Sequence, residues 1–152
     1  MKKVSHKLLT AAEEKILAQR MEKGDNRARD EMITHNLRLA LSIANQYRKS
    51  GLPMEDIAQE ANVGLIKAVD RFDWRKGFKF STYAVWWIRQ AIRRYISSQS
   101  THIKFPAGSR HTIWKIDTLR KEYQAEFGVF PEDSEVAELM GMTKEAVRSL
   151  RV

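Results

Sequence analysis

Ser81-Thr82-Tyr83-Ala84-Val85-Trp86-Trp87-Ile88-Arg89-Gln90-Ala91-Ile92-Arg93-Arg94-Tyr95 reads as one amphipathic helix, with Ser81 as its expected N-cap. At about 100° per residue, Ala84, Val85, Ile88, Ala91, Ile92 and Tyr95 form one apolar stripe. Tyr83, Trp86, Trp87, Gln90, Arg93 and Arg94 gather on the other side. The stripe is complete without the tryptophans. Their face, rimmed by cations, is therefore expected to be a binding platform rather than core filling.

The surroundings of this helix sharpen that expectation. Residues 71–111 hold nine Lys/Arg (Arg71, Arg75, Lys76, Lys79, Arg89, Arg93, Arg94, Lys104 and Arg110) against one acid, Asp73. Their balance equals the formal net charge of the whole chain, +8. Nine of the fourteen aromatic residues lie there too, among them Phe72, Trp74, Phe78 and Phe80. Cations interleaved with flat rings suit a nucleic-acid strand, whose phosphates need neutralising and whose bare bases need stacking partners.

The remaining patterning is helical throughout, so the fold is expected to be all-α. Thr10-Ala11-Ala12-Glu13 has capping-box spacing and opens a helix closed by Gly24. Asp25 caps a second helix expected to run to about Lys49, burying Met32, Ile33, Leu37, Ala40, Leu41 and Ala44. Pro53 suits the first turn of a third, which is expected to bury Ile57, Val63, Leu65, Ile66, Val69 and Phe72. Asp73 to Gly77 reads as a tight turn. Beyond a polar, Pro-interrupted joint at 97–109, Ser109 or Thr112 opens a helix ended by Gly128. Two short helices follow around Gly141, the last capped by Thr143.

At 152 residues, 43% hydrophobic and 30% charged, the chain reads as a globular protein of one core or two small ones. Its longest apolar run, Ala84 to Ile88, is far short of the roughly 18 residues a membrane span needs. No catalytic residue, metal site or cofactor is expected. The seven glycines are isolated, no cysteine is present, and no two of His6, His35, His102 and His111 stand at ligand spacing.

Three stretches carry a resemblance: Asn36-Leu37-Arg38-Leu39, the run from Asp56 to Phe72, and Lys79-Phe80-Ser81-Thr82-Tyr83-Ala84-Val85-Trp86-Trp87-Ile88-Arg89-Gln90. Together they resemble bacterial sigma factors of the housekeeping, sigma-70-type family over nearly the whole chain. The resemblance implies a helical bundle over residues 1–104, with region 2 and a short preceding helix. It implies a small three-helix, region-3-like domain over 105–152. If Val152 is the natural end, the chain is expected to be a short form similar to the late-transcription sigma factors of T4-like phages; if not, it is a fragment of a longer sigma factor. In the short form a separate coactivator or sliding clamp would stand in for the domain that reads the minus-thirty-five element.

The resemblance also implies roles and partners. The partners are core RNA polymerase, gripped at the clamp helices of its largest subunit, and the non-template strand of the promoter minus-ten element. No membrane is involved, and the setting is the bacterial cytoplasm, nucleoid-associated and phage-infected if the late-factor likeness holds. Phe72, Lys76, Phe78, Tyr83, Trp86 and Trp87 correspond to the pocket and platform for the flipped adenine that starts melting. Asn36, Arg38, Leu39 and Ser42 correspond to a second base pocket. Arg75, Lys79, Arg89 and Arg94 are phosphate contacts, and Gln90 addresses the upstream duplex edge. Arg93 beside it replaces a threonine common in the family, and Gly108 and His111 replace the residues of the extended minus-ten contact. Asp56, Gln59, Glu60, Asn62 and Ile66 correspond to the polymerase-docking surface. Two other readings remain: a stand-alone helix-turn-helix regulator acting through Pro131 to Val152, and an enzyme acting on nucleic acid, for which no residues are found.

Overall fold

The computed structural model describes residues 8–100 and 108–150. Among these are eight α-helices and no strand: α1 (Ala11–Glu22), α2 (Asn26–His35), α3 (Leu37–Asn45), α4 (Met54–Arg71), α5 (Phe80–Ser100), α6 (Arg110–Phe127), α7 (Asp133–Met140) and α8 (Lys144–Ser149). The fold is all-α. Contacts group the chain into two compact units, Met1–Ile96 and Ser97–Val152. The division expected at residues 104/105 lies outside the described residues, as does most of the Pro-interrupted joint.

Local chemistry sets most helix ends as expected. Thr10 forms a full capping box with Glu13. Asp25 accepts the Arg27 and Ala28 N–H groups, Ser109 the Thr112 N–H, and Thr143 the Ala146 N–H. Gly77, at φ 84°, closes the Trp74–Lys76 turn in a left-handed conformation that only glycine adopts freely.

Three packing expectations change. The helix expected from Asp25 to about Lys49 is two helices, broken at Asn36, whose buried side chain donates from Nδ2 to the Met32 carbonyl at 2.8 Å. The break turns α3 so that Ala40, Ile43 and Ala44 are buried while Leu37 and Leu41 face outward. In α4, Val63 and Ile66 are also outside, 42% and 36% exposed, and Phe72 beyond its end is half-buried. The small residues Ala61, Gly64 and Ala68 take their place in the core. Pro53 precedes α4 rather than opening its first turn.

The reason is how closely α4 and α5 approach. They run antiparallel, with the Tyr95 hydroxyl of α5 donating to Asp56 near the start of α4 at 3.2 Å. At mid-helix a Cβ on Gly64 would stand 2.9 Å from the Ile88 Cα and 3.0 Å from the Trp87 carbonyl oxygen. Backbones that close bury α5 over roughly half its circumference instead of a narrow stripe. Phe80, Tyr83, Ala84, Trp87, Ile88 and Ile92 are all buried. The expectation that Tyr83 and Trp87 stand outside the core is therefore wrong: Trp87 is 1% exposed. Trp86 remains half-buried, Gln90 half-buried, and Arg93 and Arg94 exposed.

The start of α5 is capped from far away. The helix begins at Phe80, one residue ahead of the expected Ser81 cap. The Phe80 N–H donates to Glu14 Oε2 of α1 at 3.1 Å, across 66 positions of sequence. Glu14 is buried, and desolvation raises its pKa against the opposing pull of the Phe80 N–H and Lys79.

The second unit packs Ile116, Leu119 and Tyr123 of α6 against Val136, Ala137 and Leu139 of α7 and Val147 of α8. Inside it the Tyr123 hydroxyl donates to the buried Glu135 at 3.1 Å, and Asp133 accepts from Arg120 at 2.9 Å.

Two consequences follow for stability. Replacing Gly64 by Ala gains up to about 1 kcal/mol of helix propensity but forces a methyl onto backbone, at about 1–3 kcal/mol. A net loss is expected in chemical denaturation, and a Gly64→Ala protein as stable as wild type would show that α4 and α5 separate freely. For Glu14, the raised pKa means the buried charge costs stability near neutrality, a cost relieved as pH falls toward 4.5. Glu14→Gln keeps an acceptor for Phe80 without the charge, so it should match or exceed wild type at pH 7, with the difference shrinking on acidification. Glu14→Ala should lose about 1–2 kcal/mol. A Gln variant as damaged as the Ala variant at pH 7 would mean the charge itself is required.

Candidate nucleic-acid interface

The aromatic residues of the first unit form one connected cluster. Phe72, just past α4, meets Phe80 edge-on at 5.2 Å between centroids and Phe78 at 6.3 Å. Phe78 stacks on Tyr83 at 5.6 Å, Tyr83 meets Trp87 at 5.9 Å, and Trp87 meets Trp86 at 6.4 Å. Phe80, Tyr83 and Trp87 form its buried floor, while Phe72, Phe78 and Trp86 are half-buried and reach the surface. Edge-to-face contacts hold these rings more rigidly than area burial alone. The Trp87 indole N–H is buried without an acceptor, and so is the Arg89 Nε.

The expected cations divide. Lys76, Lys79, Arg93 and Arg94 are exposed near the rings in sequence. Arg89 is half-buried, and its Nη2 donates to Gln46, just past the end of α3, at 3.3 Å. Arg75 points to α1: its Nη2 donates to Glu22 Oε2 at 3.0 Å, and its Nη1 donates to Glu22 Oε1. Trp74, absent from the expected site, donates its indole N–H to the same Glu22 Oε1 at 3.1 Å. The hydrogen bonds from Arg75, foremost, hold the Glu22 carboxyl below its ordinary pKa. Only the separation of 52 and 53 positions hid this cluster from a sequence reading.

The expected second pocket is less open than its sequence pattern suggests. Asn36 is buried and spends its amide on Met32, so its side chain is not presented to solvent as the pocket reading needs. Arg38 and Ser42 are exposed and Leu39 half-buried, with the Ser42 hydroxyl donating to the Leu39 carbonyl at 2.8 Å. On α4, Gln59, Asn62 and Ile66 do share an outward face, joined by Val63. Asp56 and Glu60 are half-buried beside it, Asp56 occupied by Tyr95. Among the described residues no cluster of acids and histidines is arranged to hold a metal ion. No helix of the described residues is long and apolar enough to cross a membrane.

Comparison with known proteins fits this geometry. Residues 32–101 match the Sigma-70 region 2 family and residues 5–27 match Sigma-70 factor, region 1.2. The chain is 50% identical over 121 residues to RNA polymerase principal sigma factor HrdD of Streptomyces viridifaciens, covering 80% of this chain and 36% of that protein. It is 46% identical over 143 residues to RNA polymerase sigma factor SigA of Clostridium acetobutylicum, covering 94% of this chain and 38% of that protein. The chain thus spans little more than a third of the length of the curated relatives it matches.

The burial pattern separates the two adjacent tryptophans. Trp87→Ala removes a fully buried ring and should cost about 3–5 kcal/mol of stability. Trp86→Ala should cost much less while weakening strand binding, since a surface ring contributes about 1–3 kcal/mol per stacked base. Denaturation curves and fluorescence anisotropy with a labelled single strand measure both, and equal destabilisation by the two variants would contradict the assignment.

Proposed function

We propose that this chain, which contains sigma-70 regions 1.2 and 2 and is homologous to principal sigma factors, acts as an RNA polymerase sigma factor. It binds core polymerase and, within that complex, opens promoter DNA at the minus-ten element. The observation that carries this reading is the half-exposed ring set Phe72, Phe78 and Trp86, standing on the buried floor of Phe80, Tyr83 and Trp87.

Such a surface suits a base removed from the duplex stack. Unstacking costs a few kcal/mol and each aromatic contact returns about 1–3, so two or three rings suffice without nucleotide hydrolysis. Phe72 and Phe78 would wall the captured base over the Tyr83 floor, with Lys76 beside them. Trp86 would cap the last upstream base pair, supported from below by Trp87. Lys79, Arg89 and Arg94 would hold phosphates, while Gln90, with Arg93, faces the upstream duplex edge. Arg38, Leu39 and Ser42 would meet the strand further downstream, with Asn36 acting by fixing the α2–α3 corner.

The outward face of α4, with Gln59, Asn62 and Ile66 flanked by Asp56 and Glu60, is the proposed docking surface for the clamp helices of the largest polymerase subunit. Val63 joins them, because a polar face centred on two exposed aliphatic residues fits a protein partner better than open water. The competing regulator reading, centred on the two short helices around Gly141, has only a six-residue α8 among the described residues to offer DNA.

Run-off transcription with a bacterial core polymerase and permanganate mapping of melted thymines test the proposal directly. Minus-ten-dependent opening is expected, reduced by Trp86→Ala and by introducing a charge with Gln59→Lys. Tight duplex binding without polymerase, undisturbed by Trp86→Ala, would favour the regulator instead.

A further inference from the structure

Glu22 of α1 occupies what is in effect a small anion receptor. Its carboxylate takes two N–H donors from the Arg75 guanidinium and one from the Trp74 indole. The Arg75 guanidinium also stacks over the Trp74 ring, 4.5 Å from its centroid, and the Lys15 ammonium lies 4.9 Å from the same centroid. One guanidinium and an oriented N–H thus hold one carboxylate. The Arg75 fork fits a phosphate as well as it fits a carboxylate, because both offer paired oxygens at similar spacing.

We infer that the Trp74–Arg75 pair is a binding site for a backbone phosphate of the nucleic-acid strand, and that Glu22 fills it as an internal competitor when no strand is present. This rests on the strand-binding reading above and adds two residues, Trp74 and Glu22, that it does not use. Three features support it. The pair is open to solvent, with side-chain exposures of 56% for Arg75 and 44% for Glu22, so an incoming phosphate reaches the donors. Exposed ion pairs are weak, so the carboxylate is displaceable. Glu22 also lines a cavity of about 250 Å³ with Asn26 and Phe72, and with Arg29 alongside Asp25 and Asp70, which gives the displaced side chain room to turn.

The turn that bears the site is held independently of Glu22. Asp73 accepts the Arg75 backbone N–H at 3.0 Å and Gly77 closes the turn. Asp73 also lies 3.6 Å from the Arg75 guanidinium, so Arg75 keeps an acidic neighbour when Glu22 leaves. Removing the Glu22 charge therefore frees the receptor without dismantling it.

The test uses the full chain and a fluorescein-labelled oligothymidylate, which carries phosphates without any promoter sequence. Affinity is measured by anisotropy across a salt series. For single strands, log K falls with log salt at about −0.7 per phosphate neutralised. Glu22→Gln should bind several-fold more tightly than wild type at low salt, with a slope steeper by about 0.7. In an Arg75→Gln background the same change should leave the slope unaltered. Trp74→Phe, which keeps the ring and loses the N–H, should weaken binding of the Glu22→Gln protein without changing its slope. Weaker binding by Glu22→Gln would overturn the inference and make Glu22 a strut for the turn. An unchanged slope would overturn it as well. Because the probe has no minus-ten sequence, failure of promoter reading shows up separately, as equal binding of minus-ten and scrambled strands.

Discussion

The absence of a side chain at Gly64 governs the first unit. It lets the backbones of α4 and α5 meet where any Cβ would collide with the Ile88 Cα. Packing that tight fixes the rotation of α5 about its own axis, since rotating it would drive Ala91 or Trp87 into α4. Once α5 cannot rotate, the two adjacent tryptophans cannot share a fate. Trp87 is driven into the core and Trp86 is left at its edge. The proposed strand platform is thus a surface ring resting on a buried ring, and its rigidity comes from the helix contact beneath it.

A second constraint acts from α1. Glu14 and Glu22, two turns apart on that helix, both reach the segment that leads into α5. One caps the first N–H of α5 and the other accepts from the Trp74 and Arg75 side chains. The sequence matched to region 1.2 is therefore bonded to the very turn that carries the cations and rings of region 2. A carboxylate used in this way has two costs and two effects. Glu14 gives up hydration to define where a helix starts, and Glu22 spends its charge to lower the positive field of the turn.

The core also separates the two proposed surfaces. On α4 the residues that meet the core are small or branched (Ile57, Ala61, Gly64, Leu65, Ala68), which draws its neighbours close. Among the residues left outside are Gln59, Asn62, Val63 and Ile66. One helix therefore supports the proposed ring platform through its inner face and carries the proposed docking surface on its outer face. Binding at either surface acts on the same rigid element, a physical basis for the two events to influence one another.

The sequence alone determined what depends on neighbours within a turn or two. The Thr10 capping box, the Asp25, Ser109 and Thr143 caps, and the glycine-closed turns are local chemistry, and each stands where the pattern placed it. The all-α class and the cluster of rings and cations were legible for the same reason. Tertiary structure decided which side of each helix is inside. Periodicity gives a stripe, but α5 is buried over a wider arc because α4 comes so near, and that reassigned Tyr83 and Trp87. It also broke the α2–α3 helix at Asn36 and exposed Leu41, Val63 and Ile66, since burial is settled by what faces a residue rather than by its own apolarity. The bonds from Glu14 to Phe80 and from Trp74 and Arg75 to Glu22 join residues more than fifty positions apart. No spacing rule reaches that far, because such a partnership exists only after the helices have packed.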